Sequence, residues 1–202
     1  MTYTVATHSA PAVDSAEKAK ICLENWPGFS YRPACTAQLE YVPELGFTVK
    51  LICHESAPLA RYTQFMDDVW NDSCLEFFVN FAPQNTDKYL NFEMNAKGAW
   101  LVGFGKEREG RVVPALFEGY AHPPKATIEA DRWSVELFLP LKDMKELFGD
   151  FDPQPGYRFL GNFYKCGDET PAEHYLSWHP ITSAGPDFHR PECFGTLEIA
   201  AQ

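Results

Sequence analysis

The densest concentration of chemically useful side chains lies in the segment DDVWNDSCLEFFVNF and the one that follows it, KYLNFEMNA. If the loop between them is symmetric about residues 82–87, the two strands form a hairpin. Leu75 then pairs with Met94, Phe77 with Phe92, and Val79 with Leu90. Three apolar pairs on one face meet the requirement of a buried sheet face, and their mutual consistency supports the register. The same register sets Cys74 opposite Asn95, Glu76 opposite Glu93 and Phe78 opposite Asn91 on the other face. Two directly opposed glutamates repel, so the repulsion must be offset by a shared proton, a cation, a nearby Arg or Lys, or water. With Asn80, Asn91 and Asn95 around them, the carboxyls make either a solvated outer face or a polar floor suited to the hydroxyls of a ligand. Trp70, in DDVWND directly before the first strand, sits among acidic and amide residues where an indole is less expected to be ordinary core. An aromatic ring can stack on an apolar face of a ligand while carboxylates and amides bind its polar rim.

Other constellations are weaker. Glu76 and Glu93 could form a carboxylate pair for glycoside hydrolysis, but no further catalytic context surrounds them. Met66, Met94 and the six histidines are haem ligands in principle, although the hairpin register turns Met94 to the core and there is no CxxCH. His174, His179 and His189 lie near Asp168, Glu169 and Asp187, in a spacing that matches no standard metal pattern. Asp67, Asp68 and Asp72 crowd one loop as candidate calcium donors, without an ordered loop motif. The six cysteines include no CxxC and are read as reduced thiols. GxSxG, HExxH, P-loop and GxGxxG signatures are absent.

These residues must be held by strands. TAQLEYV and FTVKLIC alternate around the turn PELG. AWLVGFG, ATIEA, WSVELFLPL, YRFLGNFYKC, HYLSW and FGTLEIA complete about ten short strands. In LKDMKELFG, Leu141, Met144, Leu147 and Phe148 share one helical face, and Gly149 is the stop. A second short helix is expected in SAEKAKICLENW, with Ser15 as N-cap, after a polar, loosely held start. With no βαβ alternation, repeat or linker, the pattern reads as all-β: an antiparallel, jelly-roll-like β-sandwich with one or two short helices. Residues 1–30 are read as an N-terminal extension and residues 31–202 as the sandwich. Trp133, Trp100 and Trp178 read as packing residues, and Trp26 is open.

The net charge of −11 speaks against nucleic acid and anionic membranes as partners and is compatible with neutral sugars or cations. No apolar run reaches the roughly 20 residues of a membrane span. The N-terminus lacks a secretory signal, which points to the cytoplasm, or to secretion if a leader has been removed.

Beyond this residue-level reading, DDVWNDSCLEFFVNF resembles the segment of family 9 carbohydrate-binding modules in which a Trp precedes Asp-Ser, an apolar residue and Glu. YLNFEMNAKG is similar to that family's next strand, WSVELFLPL to its Trp-Glu-apolar-Pro strand, and DFHRPECFGTLEI to its ending. The likeness runs from about Tyr31 to Ile199. It implies a β-sandwich of the DOMON-like group and non-catalytic binding of a mono-, oligo- or polysaccharide between two aromatic walls. Family members often accompany glycosidases as appended modules, and many carry structural calcium. On this likeness Trp70 is the first wall, Phe188 stands where the second (typically Trp) is found, and Glu76 is a sugar-contacting carboxylate. Glu93 departs from the family, where a basic residue can occur, which bears on any preference for a free reducing end. Phe188 in place of Trp implies weaker stacking. Asn91 and Asn95 complete the expected binding set. No resident cofactor is expected apart from calcium, and the oligomeric state is open.

Overall fold

A computed structural model describes residues 1–201. Twelve strands follow the chain: β1 (Thr2–Thr7), β2 (Ala19–Ile21), β3 (Ala34–Val42), β4 (Gly46–His54), β5 (Cys74–Asn80), β6 (Tyr89–Asn95), β7 (Trp100–Gly105), β8 (Lys125–Ile128), β9 (Trp133–Pro140), β10 (Arg158–Cys166), β11 (Tyr175–Ser177) and β12 (Gly195–Ile199). One sheet runs β7-β6-β5-β10-β12, with β11 also paired to β10; the other runs β3-β4-β9-β8, with β2 paired to β3. Helix α1 (Leu141–Phe148) follows β9 directly. It buries Leu141, Met144 and Phe148, and Gly149, at φ 78°, ends it where a residue with a Cβ would be strained.

The hairpin β5–β6 has the register expected from its apolar pairs: Leu75↔Met94, Phe77↔Phe92 and Val79↔Leu90, with Glu76↔Glu93 on the opposite face. The inner face carries the main core. Phe77 stacks on Phe163 of β10 with centroids 5.2 Å apart. Leu39, Phe47, Val49, Leu51, Val135 and Leu137 of the second sheet belong to the same buried cluster. Trp133, Trp100 and Trp178 are core residues, as expected, and Trp26 is also buried.

The all-β sandwich with a short helix is as expected, and details within it are corrected. Its pairing is antiparallel except at β1, which runs parallel to both of its neighbours. Thr2–Val5 pair with β12 and Ala6–Thr7 with β3, so this one strand joins the two sheets. The start of the chain is therefore a structural strand. Its alternation, Tyr3 and Val5 inward between threonines, spans too few residues to stand out. The helix expected over SAEKAKICLENW is absent: Val13–Ser15 make one 3-10 turn, and Ala19–Ile21 form β2 against β3, burying Ala19 and Ile21. Pairing at the edge of β3 outweighs the helical propensity of Ala, Glu and Lys. Finally, the outer face of β5–β6–β10, left open between a solvated face and a polar floor, is covered rather than solvated. Val69, Phe78, Tyr89, Tyr164, Phe188 and Phe194 form a second buried cluster there, beneath loops.

Candidate functional site

The loops over that outer face leave one cleft of about 390 Å³ with a polar floor. Trp70, Glu76, Asn91, Glu93 and Phe188 all line it, together with Asp168, Tyr175, Arg108, Arg111 and His189. Five of the six expected binding residues are thus brought together from segments more than 100 residues apart. The sixth, Asn95, is not among them. Its side-chain oxygen accepts the N–H groups of Lys97 and Ala99, and its amide donates to the Tyr62 carbonyl and to Asp72. Asn95 therefore closes the β6–β7 turn and anchors the preceding loop. A neighbouring depression of about 660 Å³ is larger, but exposed charged residues such as Lys106, Glu107 and Glu192 contribute much of its lining. The Arg108–Asp187 ion pair, 3.3 Å long, borders both.

Each wall has a structural support. Trp70 rides on the 3-10 turn Val69–Asn71. That turn is fastened to the β10–β11 loop by Asp168 N–H donating to the Trp70 carbonyl and Glu169 N–H donating to the Asn71 carbonyl. The indole is half-buried. Phe188 is more enclosed: 9% exposed, it stacks on Tyr164 with centroids 4.2 Å apart and planes 7° apart. Its carbonyl accepts the Tyr164 hydroxyl. Tyr175, set edge-on to Phe188, adds aromatic surface to the same cleft.

The floor is electrostatically unusual. Glu76 and Glu93 are 2% and 6% exposed. Burial, then the Cys166 thiol and Glu93 nearby, raises the Glu76 carboxyl well above the ordinary range. Burial pushes Glu93 up to about 7, against the opposing pull of the Asn91 hydrogen bond and the Arg111 charge. Protonation is one of the offsets that the opposed pair requires. The other is Arg111, which sequence reasoning missed. Its guanidinium lies over the Tyr89 ring at 4.1 Å and donates to the carbonyls of Tyr89, Gly103 and Glu107. It also donates to Asn91 Oδ1, whose Nδ2 in turn donates to Glu93 Oε1, giving a relay Arg111–Asn91–Glu93. Gly103 makes room for the relay, since a Cβ there would meet Asn91 Oδ1 at 2.7 Å and Arg111 Nε at 2.9 Å. Gly103 in the centre of β7 was the available sequence signal, because a glycine inside a strand marks close approach. His189 accepts or donates a bond with the Tyr89 hydroxyl. Burial first, then Arg111 and Arg108, lower it to about 3, so its ring is neutral.

The remaining candidates are dispersed. Asp72 accepts N–H groups of Arg61, Tyr62 and Asn95, and Asp67 those of Thr63 and Gln64. These two carboxylates serve as loop anchors, while Asp68 borders the cleft. His174 contacts Lys165, His179 the Cys193 carbonyl and His189 Tyr89, so the three histidines do not converge. Met94 lies in the core. The single group of three potential metal ligands among the described residues is Cys74, Glu76 and Cys166.

The fold and site together are a β-sandwich with an aromatic-walled cleft floored by buried carboxyl and amide groups. The chain belongs to carbohydrate-binding family 9, whose pattern matches residues 9–199. Three solved structures share the fold. A Bacteroides uniformis protein classed as carbohydrate-binding aligns at TM-score 0.84 and 24% identity, over 98% of each chain. A family 9 module of Caldicellulosiruptor kristjanssonii in complex with cellotriose aligns at TM-score 0.70 and 10% identity, over 100% of this chain and 95% of that one. The complex with glucose aligns at TM-score 0.68 and 10% identity, over 100% and 96%. No curated protein matches the sequence significantly.

Proposed function

We propose that the chain binds a neutral carbohydrate in the 390 Å³ cleft without transforming it. The observation that carries this reading is the joint lining of one cleft by Trp70, Glu76, Asn91, Glu93 and Phe188. A pyranose presents a C–H face and a rim of hydroxyls; the half-exposed indole suits the first and the carboxyl–amide floor the second. Membership of the family and the cellotriose and glucose complexes of the C. kristjanssonii fold relative support the same ligand class.

Geometry favours binding over hydrolysis. A glycosidase needs two carboxyls flanking the scissile bond, about 5–9.5 Å apart, one of them ionised. Glu76 and Glu93 are directly opposed on adjacent strands and form a single floor, where both reach the ligand from the same side. Their burial also favours protonation in each. The protonated Glu76 can donate to a hydroxyl or ring oxygen, while Glu93 and Asn91 accept or donate beside it.

Nuclear magnetic resonance titration of the labelled protein with a panel of mono- and oligosaccharides tests this reading. At least one neutral sugar should shift the Trp70 indole and Asn91 side-chain amide resonances first. Shifts confined to the opposite side of the sandwich would contradict it. Continuous turnover of aryl glycosides that vanishes in Glu76→Gln would replace binding with catalysis.

A further inference from the structure

The cleft floor carries two thiols that sugar recognition does not use, beside Glu76. Cys74 on β5 and Cys166 on β10 are directly opposed across the strand pair. Glu76, two residues along β5 from Cys74, projects from the same face. The Cys166 thiol lies 2.9 Å from Glu76 Oε1. One ligand atom from each of the three residues falls within 4.8 Å of the other two, and all three residues are buried.

We infer that Cys74, Cys166 and Glu76 form a site for one thiophilic divalent cation of the zinc type, with its fourth position open to the cleft. Zinc binds sulfur at about 2.3 Å and carboxylate oxygen at about 2.0–2.2 Å, so tetrahedral ligand atoms stand roughly 3.3–3.8 Å apart. The three ligand atoms already lie within 4.8 Å of one another. The Cys166–Glu76 contact, at 2.9 Å, must widen by roughly half an ångström, and side-chain rotation within the 4.8 Å group sets the other two spacings. Two sulfur donors select zinc-like ions over calcium or magnesium, which take oxygen ligands. The donors sit on paired strands, which hold them more precisely than loops would. Coordination replaces the Cys166–Glu76 hydrogen bond of 2.9 Å with metal bonds; the thiols' other contacts are longer, 3.5 Å from Cys166 to the Trp70 carbonyl and 3.8 Å from Cys74 to the Leu75 carbonyl. On binding, the two thiol protons and the Glu76 carboxyl proton pass to solvent, leaving a dithiolate–carboxylate complex. Glu76 and Cys166 both line the cleft, so the vacant fourth position faces it and can take water. Glu76 is shared with the proposed sugar floor, but the metal needs no sugar, so metal loading succeeds or fails independently of carbohydrate binding.

The test loads the reduced full chain with Zn²⁺ or Co²⁺ alone, removes free ion by desalting, and reads metal content and the cobalt spectrum. The expected result is about one equivalent per chain, with tetrahedral thiolate-to-cobalt charge-transfer absorption. Cys74→Ser and Cys166→Ser should each weaken that band and lose most of the metal, while Cys22→Ser retains both. Because serine at a fully buried position can impair folding, Glu76→Gln gives a second arm. It keeps both thiols and should preserve the charge-transfer band while weakening zinc binding by at least about tenfold. Metal content far below one equivalent would overturn the inference. So would a cobalt spectrum unchanged in folded Cys74→Ser and Cys166→Ser, or a Cys74–Cys166 disulfide in protein kept under reducing conditions.

Discussion

Trp70 and Phe188 line the same cleft but stand in different mechanical situations. Trp70 projects half-buried from a short turn, whereas Phe188 is packed against Tyr164. Trp70→Ala should therefore weaken sugar binding by about 1–3 kcal/mol, roughly 5- to 150-fold, with little change in melting temperature. Phe188→Ala should instead cost about 3 kcal/mol of stability as well as affinity, because it opens a void beside Tyr164. Calorimetry of both variants separates the two roles; a Trp70→Ala protein that melts far below wild type would show the indole to be a packing residue. The carboxyl floor predicts a pH dependence. Between about pH 4.5 and 7 the folded protein retains a proton on Glu93 that the unfolded chain has already released. Stability should accordingly fall as pH rises through that interval, the sign expected for an acid whose carboxyl is raised on folding. Glu76 acts in the same direction. Melting curves across the interval check this, and Glu93→Gln should flatten the slope. At this scale the sequence placed Glu76, Glu93 and Asn91 correctly on one face. It could not distinguish Asn91, which faces the cleft, from Asn95, which ties down a turn, because alternation reports the face and not what covers it.

At the scale of elements, the β5–β6 hairpin was legible because its apolar pairing is consistent at three successive positions, and a one-residue slip would expose all of them. Helix α1 was legible from its 3.6-residue apolar stripe and terminal Gly149. β1 and β2 were not, since six and three residues carry too little periodicity, and their strand character comes from the edges they complete. β1 supplies the parallel link between the two sheets, so deleting residues 1–7 should expose the edges of β12 and β3 together. The expected outcome is a large drop in melting temperature or loss to aggregation, measured by thermal unfolding and light scattering. A truncated protein as stable and monodisperse as the full chain would show β1 to be dispensable. Arg111 lay beyond reach for a related reason: nothing in the loop EREGRVV marks a guanidinium that closes over Tyr89 and reaches Asn91, and only Gly103 on the neighbouring strand hints at the close approach.

For the molecule as a whole, the site is a product of topology. The 3-10 turn before β5, the central strands, the segment after β7, the β10–β11 loop and the segment before β12 converge on one outer sheet face. The sandwich core fixes that face, and the loops bury it except at the cleft. On the proposed reading, this cleft binds a neutral carbohydrate. The most direct test is a glycan array probed in parallel with the wild-type chain and with Trp70→Ala. Binding to at least one class of neutral glycan, lost or strongly reduced in the folded variant, is the predicted result. An array on which the wild type binds no neutral glycan, or on which the variant matches it spot for spot, would contradict the account.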